Sequence, residues 1–139
     1  MAEFVNSSTQ EVAPGQNVLF TETAVRGNNC NIMHRTGSGI VTLRGSSNCC
    51  GAKYKVSFGG NIAAVTTAEA ISIAISLEGE PLYSATATVT PAATGNFFNV
   101  FTAVIVSVPC NCCMTVAVEN TNTQAITVDN ANLIVERVC

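Results

Sequence analysis

Seven cysteines, Cys30, Cys49, Cys50, Cys110, Cys112, Cys113 and Cys139, are the residues of this 139-residue chain best suited to covalent or metal chemistry. Their number is odd, so at least one of the seven cannot pair within its own chain. All sit in expected turns or at the terminus, away from the aliphatic segments where a cysteine acts as a small hydrophobe. Such positions favour crosslinking. Cys49-Cys50 and Cys112-Cys113 are vicinal pairs, which meet disulfide geometry only with strain, so their partners are expected elsewhere. Thiolates would also suit zinc or an iron–sulfur cluster. No histidine lies near them, however, and loop thiols outside the cytosol form disulfides more often than metal sites. The reading adopted is disulfide crosslinking, with no metal and no cofactor.

Other candidate chemistry is sparse. His34 is the one histidine, flanked by Met33, Arg35 and Thr36 on a short strand segment with no nucleophile motif beside it. No G-x-S-x-G, H-E-x-x-H or G-x-x-x-x-G-K pattern occurs, and Gly37-Ser38-Gly39 lacks the helix that would complete a phosphate cradle. Glu78 and Glu80 flank a turn glycine as solvated loop charge, and Asp129 alone is thin support for calcium. No catalytic residue is assigned, and the chain reads as a non-enzyme. Asn6-Ser7-Ser8 fits the glycosylation acceptor pattern, a short motif common by chance. Thr86, Thr88 and Thr90 place hydroxyls on one strand face, read as an outer face.

Charged residues make up only 11% of the chain against 47% hydrophobic, less than half the usual charged share. A surface so poor in charge is either neutral hydroxyl and amide or buried against other copies, and both favour assembly. The six basic residues are spread without a patch, which sets nucleic acid aside. No apolar run approaches the roughly 18–20 residues of a bilayer span, so membrane insertion is not expected. Residues 1–8 carry neither the basic nor the apolar region of a secretory leader. Disulfides without such a leader point to release into oxidising surroundings by cell lysis, as at a spore surface or on a virus particle.

The elements that must position the cysteines follow period-two alternation, and no helical repeat is found. Ile71, Ile73, Ile75 and Leu77 share one face, with serine and alanine on the other, and Glu78-Gly79-Glu80-Pro81 supplies turn chemistry. Strands are expected at 16–21, 31–36, 40–44, 53–62, 71–78, 83–90, 97–108, 114–120 and 126–138, the last interrupted near Asp129. Their spacing predicts an all-β, antiparallel two-sheet sandwich or jelly roll. One domain is expected over 15–139, preceded by an N-terminal arm at 1–14. In 97–108, Phe98, Val100, Val104, Val106 and Val108 fall on one face, while Phe97, Phe101, Ala103 and Ile105 fall on the other. A sandwich buries one face of each strand, so the second apolar face predicts a subunit interface.

Three segments resemble the tumour-necrosis-factor and complement-like jelly-roll family, above all the C-terminal domains of collagen-like glycoproteins on bacterial spores. They are Ala52-Lys53-Tyr54-Lys55-Val56-Ser57-Phe58, Ile75-Ser76-Leu77-Glu78-Gly79-Glu80-Pro81 and the closing Ala131-Asn132-Leu133-Ile134-Val135-Glu136-Arg137-Val138. The resemblance implies a two-sheet jelly roll, commonly a homotrimer, whose inner sheet, including 97–108, makes the subunit contact. The chain departs from those glycoproteins in lacking a Gly-X-Y stalk and in its cysteines, and in size and cysteine habit it also resembles jelly-roll subunits of spore appendages. Jelly-roll topology would gather Cys49, Cys50, Cys110, Cys112, Cys113 and Cys139 at one pole and leave Cys30 at the other, the layout of a head-to-tail disulfide-linked stack. The expected function is a structural subunit of an extracellular, spore-surface or particle-surface assembly whose partners are its own copies. A trimeric phage fibre or capsid-decoration module, with a host or surface glycan as partner, is the alternative, and a small metal-binding β domain the third.

Overall fold

The computed structural model describes residues 1–26, 31–45 and 52–138, and among these the ordered elements are strands. No helix among them is long and apolar enough to cross a membrane. The strands are β1 (Ala2–Asn6), β2 (Gln10–Val12), β3 (Glu22–Val25), β4 (Ile32–His34), β5 (Val41–Arg44), β6 (Ala52–Ala64), β7 (Ile71–Leu77), β8 (Glu80–Val89), β9 (Phe98–Val108), β10 (Cys113–Asn120) and β11 (Ile126–Arg137). They form two antiparallel sheets. The first, sheet A, runs β3-β1-β11-β6-β9 with β2 also on β11, and the second, sheet B, runs β4-β5-β10-β7-β8. This is the expected jelly roll, in which the chain from β5 onward crosses repeatedly between layers, with β6, β9 and β11 in sheet A and β5, β7, β8 and β10 in sheet B.

Alternation decides the core. Tyr54, Val56, Phe58 and Ile62 of β6, Ile71, Ile73 and Ile75 of β7, and Leu133 and Val135 of β11 are all fully buried between the sheets. Each such side chain contributes about 1.5–3 kcal/mol by leaving water. In β11 the inward set changes phase, from Ile126 and Val128 to Ala131, Leu133 and Val135. Asp129 pairs with Asn61 and Asn132 with Gly59, so three steps on β11 answer two on β6, and Asn130 takes φ 53°. The interruption expected near Asp129 is a β-bulge, which absorbs the extra residue and keeps both halves facing the core. Leu77 pairs with Glu80 across Glu78 and Gly79, whose φ values of 53° and 86° make the tight hairpin turn that matches strand twist.

Two expectations fail at the N-terminal end. Residues read as an arm are strands of sheet A, with Ala2 opposite Val135, Phe4 opposite Leu133, and both buried. The strands are short and separated by Ser7, Ser8 and Thr9, so local pattern alone does not reveal them. Residues 16–21 alternate as expected, with Val18 and Phe20 buried, yet form no regular strand. Their backbone bonds scatter: Val18 donates to Val118, Phe20 to Ser38, and Leu19 is held at both its N–H and C=O by the Gln10 side-chain amide at 3.0 Å. Alternation reports burial, whereas a strand also needs a continuous partner.

Candidate functional site: an apolar sheet face and a cysteine-bearing end

Strand β9 closes one edge of sheet A, bonded only to β6. Its inward residues Val100, Thr102, Val106 and Val108 are buried. On the opposite face Phe101 is 65% exposed and Ile105 62%, with Ala103 half-buried between them. Phe97, just ahead of the strand, is 47% exposed, and Phe98, expected on the core face, remains 38% exposed where the strand begins. Thus the predicted interface residues Phe97, Phe101, Ala103 and Ile105 are the ones the domain leaves uncovered in whole or part. Beside them, Gly59 and Ser57 of β6 stand opposite Phe101 and Ala103, and Ile134 of β11 stands opposite Ser57. Small side chains flank the two large ones, giving protruding knobs beside a shallow floor. Toward the far end the same face turns polar, with Lys55 opposite Ile105 on one side and Glu136 on the other.

That far end carries thiols. Cys110 and Cys112 lie in the β9–β10 turn and Cys113 opens β10, and all three are exposed. Cys30, Cys49, Cys50 and Cys139 lie outside the described residues, but their described chain neighbours are informative. Gly45 donates to the Cys112 carbonyl at 2.8 Å, Ala52 pairs with Val108, and Val138 donates to Lys53 at 2.8 Å. A Cβ on Gly45 would sit 2.0 Å from the Pro109 carbonyl oxygen, so only glycine allows this approach. Asn31 accepts from Arg44 at 2.8 Å, and Arg44 pairs with Cys113. Asn31 therefore belongs to the same end as Cys113, while the expectation that placed Cys30 at an opposite pole concerns a residue outside those described.

The remaining candidates have structural work. His34 Nε2 bonds the Ser38 carbonyl at 2.8 Å, and its ring lies 4.6 Å from Phe4 and 6.5 Å from Phe20, pinning a loop over the core edge. The Glu78 carboxylate accepts from the Thr115 N–H and hydroxyl, tying the hairpin turn to β10. Asp129 accepts from the Thr9 hydroxyl at 3.2 Å. Among the described residues no group of three or more His, Cys, Asp or Glu side chains converges as metal ligands. Sequence reasoning missed the amide clasp of Asn120, Asn122 and Gln124, whose only signal is the polar run at 119–124. It also missed the exposed Tyr83, which no pattern marks.

Glu119 stands opposite Ala74 on the outer face of sheet B, and desolvation raises its carboxyl above the ordinary range. A folded-state value above the unfolded one means that stability falls as pH rises through that window, and is unaffected below it. Glu119→Gln is expected to raise the melting temperature by about 1–2 °C at neutral pH, the effect being small because solvent screens a partly exposed group. The difference should close below about pH 4, where both states hold the proton. Paired thermal melts across pH test this, and a gain that persists in acid would assign it to packing.

No family model and no curated protein matches this chain. Solved structures do. The Eiger TNF from S. frugiperda superposes with a TM-score of 0.72 at 15% identity, covering 99% of this chain and 91% of that one. The globular domain of zebrafish complement 1qA protein gives 0.60 at 11% identity, covering 96% of this chain and 94% of that one. At such identities the likeness establishes the fold alone, the jelly roll shared by both. Because the overlap reaches nearly the whole chain, it takes in the N-terminal strands as well as the sandwich.

Proposed function

We propose that the chain is a non-enzymatic structural subunit that self-associates through the outer face of β9 and is covalently reinforced by disulfides from its cysteine-bearing end. The observation that carries this reading is the exposure of Phe101 and Ile105 on a strand whose other face belongs to the core. A chain with 11% charged residues has little else to keep such a face in water, and burial against a second copy removes it. The odd cysteine count supports bonds between chains, and the exposure of Cys110, Cys112 and Cys113 leaves them accessible to a neighbour. Resemblance to spore-surface jelly rolls extends the reading to a fibre or surface layer outside the cell, commonly built on trimers.

Electron microscopy of natively isolated protein beside electrophoresis in detergent, with and without reductant, tests it. Ordered fibres or sheets and a ladder that collapses with reductant are expected. Discrete trimers that give only monomer on non-reducing gels would overturn the crosslinked assembly and leave a trimeric particle-surface module.

A further inference from the structure

The outer face of sheet B holds a second feature, unconnected with self-association. Between β7 and β8 the ladder jumps: two residues along β7, from Ala74 to Ser76, answer five along β8, from Thr86 back to Pro81. The surplus residues 82–85 bulge from the sheet edge, closed at the base by the Thr86 hydroxyl donating to the Leu82 carbonyl at 2.8 Å. Leu82 turns toward the core, and Ala85 is buried. Tyr83 stands at the crest and is 97% exposed, so its ring has both faces in water. Beneath it lies a recess of about 380 Å³ lined by Ser72, Pro81, Tyr83, Thr86 and Thr121. Large bulges at sheet edges re-aim side chains, and here the side chain aimed outward is a ring with no partner in its own domain.

The hydrogen-bonding capacity of the recess is specific. Thr86 spends its proton on Leu82, and Thr121 can spend its own on the Ser72 carbonyl at 3.3 Å. Ser72 Oγ lies 2.8 Å from Thr121 Oγ1, and either hydroxyl can donate to the other. Thr86 therefore faces the recess as an acceptor, the Ser72–Thr121 pair adds acceptor lone pairs with no more than one proton to spare, and the phenol of Tyr83 is a donor. Among the described residues no charged side chain lines the site. An anion needs several donors and finds few, and a cation finds no counter-charge among the described residues. A peptide adding to the sheet edge needs a regular ladder, which the bulge interrupts. A ring with one apolar face and several hydroxyl donors matches both the stacking surface and the acceptors.

We infer that the Tyr83 recess binds a neutral saccharide ring, free or at the end of a glycan chain, stacked on the tyrosine and donating its hydroxyls to Ser72, Thr86 and Thr121. Affinity per site is in the millimolar range, as befits one stacking contact and a few exchanged hydrogen bonds, and repetition on an assembled surface multiplies it. The test uses the assembled protein on an array of neutral glycans terminating in glucose, galactose, mannose, rhamnose or N-acetylglucosamine, with sialylated and sulfated glycans as anionic controls. At least one neutral terminus is expected to be bound. Tyr83→Ala should reduce that signal about tenfold or more, and Tyr83→Phe, which keeps the ring, by no more than about threefold. The matching free methyl glycoside at about 50 mM, far above a millimolar Kd, should compete. Because Tyr83 touches so little of its own domain, both variants should melt as the parent does. Binding confined to anionic glycans, no binding, no competition, or undiminished binding by Tyr83→Ala would each overturn the inference. So would a change in assembly size on Tyr83→Ala, which would make the recess a subunit contact.

Discussion

Replacing Phe101 and Ile105 together with aspartate should convert the assembled protein into folded monomers. Both side chains point away from the core and are mostly exposed within the domain, so their loss removes little internal packing. In a subunit interface they would be the large apolar anchors beside the small floor of Gly59 and Ser57, and such anchors dominate association energy. Aspartate removes the apolar area and adds a charge with no partner, at a cost of about 2–4 kcal/mol per site, so that the double variant raises the dissociation constant by at least about a thousandfold. Light scattering after size-exclusion chromatography under reducing conditions reads the mass, and circular dichroism with a thermal melt reads the fold. Reductant separates the sheet contact from covalent links. An unchanged mass in the double variant would sink the β9 face as the contact, whatever the thiols do.

Asn120→Leu should produce the largest loss of stability from a single side chain. Asn120 is fully buried, and its amide donates to the Val12 carbonyl at 2.9 Å and the Gln124 carbonyl at 3.0 Å. Its Oδ1 accepts from the Asn122 N–H at 2.9 Å and from the Asn122 amide at 2.8 Å. Asn122 in turn bonds Ser72, while Gln124 accepts from the N–H groups of Thr66 and Thr67. The Asn120 side chain thus ties β2 of sheet A to the β10–β11 connection, which the Gln124 side chain in turn ties to the β6–β7 connection. Leucine has a similar volume but no polar atoms, so it strands buried carbonyls that water cannot reach. The expected loss is about 3–5 kcal/mol, lowering the melting temperature by about 10 °C or more. A drop of less than a couple of degrees for Asn120→Leu would show that the clasp closes over a region already held by the sheets.

Much of this architecture is legible locally. In β6, β7 and β9 the identity of every second residue names the core face, and the phase change at Asp129 in β11 announces its bulge. The apolar outer face of β9 is legible for the same reason, since Phe101 and Ile105 occupy positions that one sandwich cannot bury. By contrast, residues 16–21 show the same alternation as a strand, and their failure to form one depends on Gln10, Ser38 and Val118, distant in sequence. The strands at residues 2–6 and 10–12 are too short to announce themselves, and become stable only where β11 offers a ladder. The amide clasp is invisible for a related reason: Asn120, Asn122 and Gln124 read as a turn, and their burial follows from connections that converge on them.

By itself the sequence determined an all-β chain with two apolar sides on one strand, few charges and an odd number of thiols, because composition and period-two alternation are properties of neighbours along the backbone. Tertiary structure alone decided which strands pair, that Asn31 joins the end carrying Cys113, that the polar run at 119–124 is a buried clasp, and that Tyr83 stands clear above a hydroxyl-lined recess. Those facts arise from ladders between segments far apart in the chain, where register and a single bulge redirect side chains that local pattern treats alike.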